Sequence, residues 1–459
     1  MKPARRVRVK PTTARSLALA VLLECREHTR FVQDILDRHL TAAPLPPADR
    51  RLATQLVYGV LRRRLTLDTL LRPLVTRPLH QVEPWVWEAL RLGAYQLALL
   101  THIPPHAVLH ETVELASAVG RPGGKGFLNA VLRRLARLVT DERTDEPGPA
   151  ALPLEAGVYR VLSQPVLPDP SAQPLEYLAA AFALPRWLVE RWAQRFDRPE
   201  LIRLGFWFAG PAPLWLRVNP LRATRPQLLA ALAAAGIAAE PGAHPQAVRL
   251  SEHAPVRELP GYAEGWFTVQ DESAMWVSSA LAPRPGWCVL DLCAAPGGKA
   301  THLAELMRNE GRVVAADADA NRLAALPALA RRLGLTIIEP LALAPDADPP
   351  CGPFDGVLVD APCSNTGVLG RRPEARWRLK PGDFTHLVPL QTKLLIHAAE
   401  RVKPGGVIVY STCSIEPEEN RQIVANVRRA FPDLTLEQDD EQVPGRPADG
   451  GYWARLRRT

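Results

Sequence analysis

The sequence predicts a multidomain chain, with an all-α front domain and a doubly wound α/β domain behind it. Three observations carry this. Residues 12–139 place apolar side chains at three- and four-residue spacing with no strand-like alternation. From 289 onward, short apolar runs alternate with amphipathic stretches, the pattern of a parallel sheet covered by helices. Between them, 141–175 is rich in proline and poor in periodicity. At 459 residues the chain is also too long for one ordinary core.

Taken in order, "ARSLALAVLLECREHTRFVQDILDRHL", "PADRRLATQLVYGVLRRRLTLDTLL", "PWVWEALRLGAYQLALLTHIP", "PHAVLHETVELASAVG" and "GKGFLNAVLRRLARLV" supply at least five amphipathic helices, giving a compact helical domain over 1–140. Residues 141–175 read as a linker. Over 176–265, the helix "LPRWLVERWAQRF", the strand–loop–helix "PLWLRVNPLRATRPQLLAALAAAGIAAE" and the short strands "AVRL" and "GWFTVQD" make a small α+β unit. Residues 266–459 then alternate: "CVLDLC", a helix from Lys299, "GRVVAAD", "ANRLAALPALARRLG", "LTIIEP", "FDGVLVD", "TKLLIHAAERV", "GGVIVYSTC" and "NRQIVANVRRAF". The closing "DGGYWARLRR" reads as an antiparallel edge strand.

The longest early apolar run, "LALAVLL", has seven residues and meets Glu24 and Arg26 at once, which predicts neither a membrane helix nor a secretory signal and so a cytoplasmic protein. Six scattered cysteines form no CxxC pair, disulfide framework or metal-ligand spacing, so reduced thiols are expected and no metal. Residues 1–140 carry 22 Lys and Arg against 10 Asp and Glu, a net +12, which leaves the remainder at −4 of the chain's +8. A basic front end points either to a nucleic-acid partner or to a solvated arginine-rich surface.

Chemistry concentrates behind three strands. "VLDLCAAPGGKATHL" is a strand, a small-residue turn and a helix start, where backbone comes close to a ligand and free N–H groups face it. It is neither GxGxxG nor a phosphate loop. Asp317 ends the next strand about twenty residues on, where a carboxylate holds ribose hydroxyls. Asp360 ends "FDGVLVD" and is followed by Pro362 and Cys363; Cys413, after Ser411 and Thr412, takes the equivalent place one strand over. Both thiols then face one cleft, whereas Cys25, Cys288 and Cys351 read as small buried hydrophobes. The run Arg371, Arg372, Arg376 and Arg378, with Trp377 among them, reads as a phosphate-holding loop or as a solvated charged one.

"DLCAAPGGK", "DAPCSNTGVLGRRPEARW" and "STCSIEPEEN" together resemble the cofactor loop, Pro-Cys motif and Thr-Cys motif of the NOL1/NOP2/Sun family of RNA cytosine-5 methyltransferases. "LWLRVNPLRATR" and "FTVQDESAM" resemble segments which that family carries upstream. "DRRLATQLVYGVLRRRLTLDTLL" and "FLNAVLRRL" are similar to the NusB antitermination-factor fold. The resemblance implies an all-α NusB-like RNA-binding domain and a Rossmann-like class I catalytic domain. It further implies S-adenosyl-L-methionine as co-substrate, held by Cys293, Ala294, Ala295, Pro296, Gly297, Gly298, Lys299, Asp317 and Asp360. The target would be a cytosine of 16S rRNA, cytosine 967 by family analogy. By the same resemblance Cys413 is the nucleophile and Cys363 assists release; the basic run itself makes Arg371, Arg372 and Arg376 the candidates for holding RNA. Attack at C6 is easier when N3 of the base is protonated or hydrogen-bonded, and Asp360 is the residue expected to serve there. A monomer acting on RNA and not DNA is expected. The family's third-strand aspartate falls near Leu343, where Asp346 or Asp348 would have to substitute. The alternatives are a tRNA or other RNA cytosine-5 methyltransferase, and a non-catalytic RNA-binding assembly factor. A DNA-type enzyme would attack with the Pro-Cys thiol and would not need the Thr-Cys.

Overall fold

The computed structural model describes residues 9–27, 30–252, 254–344 and 348–459. The chain forms two compact units, Met1–Pro211 with Leu369–Arg378, and Ala212–Val368 with Leu379–Thr459.

In the first unit, helices α1 (Ala14–Glu27), α2 (Val32–Ala42), α3 (Pro47–Arg62), α4 (Arg64–Leu71), α5 (Pro84–Leu99), α6 (Pro105–Ala118) and α7 (Lys125–Leu138) realise the expected amphipathic set. Twelve of the sixteen residues of α5 are buried, so this helix is apolar on nearly every side and the others pack around it. Its buried Arg91 is balanced by Asp68, 2.7 Å away, and by Glu88 at 2.6 Å.

Residues 141–175 are not a linker. Strands β1 (Val139–Thr144), β2 (Ala151–Glu155) and β3 (Val158–Leu162) form an antiparallel sheet in the order β1-β3-β2. Ala156 and Gly157 make the β2–β3 turn, with Gly157 at φ +76°. Arg63 ties the sheet to the helices through bonds of 3.0 Å to the carbonyls of Pro153 and Leu154. Proline density masked the short apolar alternation here. Helices α8 (Pro174–Phe182), α9 (Arg186–Trp192) and α10 (Arg198–Ala209) continue the first unit, so the division falls after Pro211, inside the expected α+β segment.

The second unit opens with β4 (Leu214–Val218), α11 (Arg225–Ala234), β5 (Ala239–Pro241), β6 (Ala247–Leu250) and β7 (Phe267–Val269), an antiparallel sheet ordered β5-β6-β4-β7. After α12 (Glu272–Leu281) come β8 (Cys288–Asp291), α13 (Gly298–Leu306), β9 (Arg312–Asp317), α14 (Ala320–Leu323), α15 (Leu326–Leu333), β10 (Ile338–Ala342) and β11 (Phe354–Asp360). The chain then contributes Leu369–Arg378, including α16 (Ala375–Arg378), to the first unit. It returns with α17 (Phe384–Arg401), β12 (Val402–Thr412), α18 (Arg421–Ala430), β13 (Leu434–Gln442) and β14 (Gly451–Arg458).

The main sheet is ordered β10-β9-β8-β11-β12-β14-β13, parallel from β10 to β12. The chain leaves β8 toward β9 on one side and returns to β11 on the other, which opens a crevice at the carboxyl ends of these strands. β14 is antiparallel as expected but does not form the edge. Its buried Tyr452, Ala454 and Leu456 suit an interior place, and the acidic β13 takes the edge, with Glu437 meeting Arg455 and Arg457.

Candidate active site

Two strand ends frame the crevice. After β8, Leu292 N donates to Leu358 O at 2.9 Å, Ala294 N to Ala316 O at 3.1 Å, and Ala295 N to the Asp317 carboxylate at 2.8 Å. The other Asp317 oxygen accepts from Asp319 N at 2.7 Å, which fixes the carboxylate at the mouth of β9. Gly297 sits at φ +112°, and a Cβ there would come within 2.4 Å of Leu326, so this turn requires glycine. A Cβ on Gly298 would have only Gln270 within reach, at 3.9 Å, so the start of α13 presents bare backbone.

Lys299 Nζ reaches Asp360 Oδ2 at 2.6 Å, and Ser411 Oγ donates to Asp360 Oδ1 at 2.9 Å. Burial works against the Lys299 ammonium, yet Asp360 outweighs it and raises its pKa, with Cys413 and Asp291 adding to the effect. Beneath them Asp291 is fully buried, and no side chain donates to either of its oxygens. Burial, and then the charge of Asp360, push its carboxyl up to about 8. Bare backbone beside the carboxylates Asp317 and Asp360, with Asp291 below, fits a ligand carrying a ribose and a positive charge, as S-adenosyl-L-methionine does.

At the ends of the paired strands β11 and β12, Cys363 Sγ lies 3.2 Å from Cys413 Sγ. Cys413 Sγ also meets Asn365 Oδ1 at 3.4 Å, and Asn365 Nδ2 holds the carbonyl of Cys363 at 2.8 Å. The contact with Cys413 first, then burial, push the Cys363 thiol well above its ordinary range; the charge of Glu419 adds to this. Cys363 is thus kept as a thiol.

Sequence reasoning missed the support beneath this site. Arg217 on β4 is fully buried, and its guanidinium grips Glu305 at 2.8 and 3.0 Å, Thr301 Oγ1 at 3.1 Å and Gly298 O at 2.7 Å, with Gln270 beside it. It therefore fastens α13 at both ends of its buried face. The one available signal was a charged residue inside the apolar run "LWLRV".

Other expected residues stand elsewhere. Arg376 is not an RNA contact: it is 1% exposed and donates to the carbonyls of Arg62, Phe182, Ala183, Phe208 and Leu369. Arg378 donates to Arg30 O at 2.7 Å, Trp377 Nε1 to Leu61 O at 3.0 Å, and Arg372 lies over the Phe31 ring. Arg371 and Arg372 are half-buried in the first unit. Cys351 is exposed and not a buried hydrophobe, while Cys25 is half-buried, and loss of solvent there pushes its thiol up to about 12. At the third strand, Leu343 N bonds to Asp317 O at 2.9 Å and its side chain packs on the core. Asp348 is exposed, 3.9 Å from His397, and Asp346 lies outside the described residues.

Residues 278–446 match the family described as 16S rRNA methyltransferase RsmB/F, 12–137 match the NusB family, and 184–257 match the ferredoxin-like domain of the RsmF/B-like methyltransferases. The probable ribosomal RNA small subunit methyltransferase B of Synechocystis is 38% identical over 413 residues, 89% of this chain and 87% of that protein. The chain belongs to this methyltransferase B family. Its Bacillus subtilis relative of the same name is 35% identical over 93% of this chain and 90% of that one. The solved structure of PH0851 superposes with a TM-score of 0.77 at 25% identity, covering 99% of this chain and all of that one. A methyltransferase homologue from Pyrococcus horikoshii covers 64% of this chain and all of its own, with a TM-score of 0.54 and 27% identity. A member of this family is an S-adenosyl-L-methionine-dependent RNA methyltransferase. Its helical front is NusB-like and its main sheet Rossmann-like. Among the described residues no helix is long and apolar enough to cross a membrane.

Proposed function

We propose that the protein methylates C5 of a cytosine in 16S rRNA, cytosine 967 by family analogy, through a covalent adduct with Cys413. The observation that carries this reading is the pair of sulfurs 3.2 Å apart at adjacent strand ends, beside Asp360. C5 of cytosine is a weak nucleophile. The Cys413 thiolate adds to C6, and its electron pair makes C5 an enamine carbon able to attack an electrophilic methyl group. Asp360, oriented by Lys299 and Ser411, faces N3 of the base and accepts a hydrogen bond from it once N3 is protonated, which eases attack at C6.

The co-substrate supplies a methyl group on a positively charged sulfur. The loop 293–299 holds it, with Asp317 at its ribose. After transfer, C5 carries both a proton and a methyl group. Transfer of that proton to solvent water returns the electron pair to the C5–C6 bond and expels the Cys413 thiolate. Cys363, held as a thiol next to Cys413, donates a hydrogen bond to the departing sulfur and keeps its proton.

The base must leave its stack to reach such a crevice, so the substrate is single-stranded or locally opened RNA. The basic helical front supplies RNA affinity, and Arg371 and Arg372 contact phosphate. The protein works as a cytoplasmic monomer on RNA and not on DNA. Support for 16S rRNA comes from relatives named as ribosomal RNA small subunit methyltransferases. Bisulfite mapping of rRNA from a strain lacking the protein tests the reading: one 16S cytosine should lose its methyl group. A methyl group lost only from tRNA would assign the other substrate.

A further inference from the structure

Each of the two cysteines is followed directly by a serine, Ser364 and Ser414, and both serines are buried. Their hydroxyls converge on one carboxylate. Glu419 is fully buried on the loop between β12 and α18. Its Oε1 accepts from Ser364 N and from Gln391 Nε2, each at 2.9 Å. Its Oε2 accepts from Ser364 Oγ at 2.5 Å and from Ser414 Oγ. The two serine oxygens lie 3.1 Å apart, and Thr366 Oγ1 lies 3.1 Å from Ser414 Oγ while accepting from Ile415 N at 3.1 Å. Gln391 Nε2 also reaches Pro362 O at 2.9 Å, and Tyr410 Oη fixes the Glu419 backbone carbonyl at 2.6 Å.

Among the described residues, every hydrogen-bond donor to this carboxylate is neutral. Burying a charge without a counter-ion is costly, and an amide could take over the backbone contact without carrying that charge. A carboxylate can accept from two hydroxyls and an N–H at once, whereas an amide must turn one end as a donor. Chemistry that depends on two sulfurs at fixed separation gives such a costly group a purpose.

We propose that Glu419 is a positioning residue for the two-thiol reaction: it clamps Ser364 and Ser414 to one carboxylate and so sets the separation of Cys363 and Cys413. This rests on the reading that both thiols serve the reaction. The same charge adds to the contact with Cys413 and to burial in keeping the proton on Cys363. Glu419 touches neither sulfur and acts through the two serines.

The test combines Glu419→Gln with the double variant Ser364→Ala/Ser414→Ala, the latter keeping the charge but cutting the hydroxyl clamp. Alkylation of Cys363 and Cys413 by iodoacetamide is followed against pH by peptide mass spectrometry, without RNA; kcat, KM for RNA and the thermal midpoint are measured alongside. Glu419→Gln should move the Cys363 alkylation profile to lower pH and reduce kcat about tenfold or more, with KM changed by less than about threefold. The serine double variant should lose kcat while keeping the Cys363 profile. A lowered thermal midpoint with both profiles and kcat unchanged would make Glu419 merely structural and overturn the inference. So would wild-type kcat in the double variant, even if Glu419→Gln failed to fold. Methylation by Cys413→Ala would instead remove the two-thiol reading itself, and the RNA-free alkylation profile keeps the two failures distinct.

Discussion

Lys299 Nζ lies 2.6 Å from Asp360 Oδ2, and this ion pair joins the first turn of α13 to the strand end that precedes Cys363. Ser411 holds the other oxygen, so Asp360 has a fixed orientation only while Lys299 is present. Lys299→Met should therefore slow single-turnover methyl transfer by about 100-fold, through loss of alignment, with little change in the thermal midpoint. A wild-type rate would remove the pair from the mechanism.

Asp291 makes the fold sensitive to pH. Its carboxyl goes from 3.8 to about 8 on burial, so between those values the folded chain holds a proton that the unfolded chain has released. The stability it contributes is complete below 3.8 and is lost as pH rises through about 8. Thermal midpoints across this range should fall with pH in the wild type and fall less steeply in Asp291→Asn. Parallel curves for the two proteins would contradict the buried, protonated carboxyl.

Asp317 and Leu343 mark the two sides of the proposed co-substrate site. Asp317→Ala should weaken S-adenosyl-L-methionine binding about tenfold by calorimetry, the scale of one lost charged hydrogen bond. Leu343→Asp restores a carboxylate on the third strand and should tighten it. Unchanged affinity in Asp317→Ala would mean that the site lies elsewhere.

How much of this could be read in the sequence depends on what each residue needs. Asp317, Asp360, Cys363 and Cys413 each follow an apolar run, so a local pattern placed them at strand ends on one side of the sheet. Arg376 gave no such signal. A basic run looks the same whether solvated or buried, and its carbonyl partners come from three distant segments, around Arg62, Phe182 and Phe208, as well as from nearby Leu369. Arg217 and Glu419 were hidden for the same reason, since their partners meet only in the folded chain. The sheet over 139–162 was lost to proline content, and the interior place of β14 depends on a partner strand that local periodicity does not name.

The buried Arg376 changes how RNA binding by the helical unit can be tested. Deleting 1–140 would strip the surroundings of Leu369–Arg378, which belongs to that unit, so truncation would disturb more than RNA contacts. Neutralising the exposed Arg77 and Arg121 is cleaner. It should flatten the salt dependence of RNA binding by about 1.5 in log–log slope, as two phosphate contacts release fewer counterions. Arg376→Met should leave that slope alone and cost stability of about 1–3 kcal/mol through orphaned carbonyls. An unchanged slope in the first variant would leave the net +12 of residues 1–140 as solubility alone.

In the proposed reaction Cys413 makes the bond to RNA and Cys363 helps to break it. The two roles separate on denaturing gel electrophoresis of wild type, Cys413→Ala and Cys363→Ala, each incubated with rRNA and S-adenosyl-L-methionine. Cys413→Ala should neither methylate nor form an adduct, whereas Cys363→Ala should methylate once and accumulate a slow-migrating protein–RNA band. An adduct in Cys413→Ala and none in Cys363→Ala would reverse the two roles, and methylation by both variants without any adduct would contradict covalent catalysis.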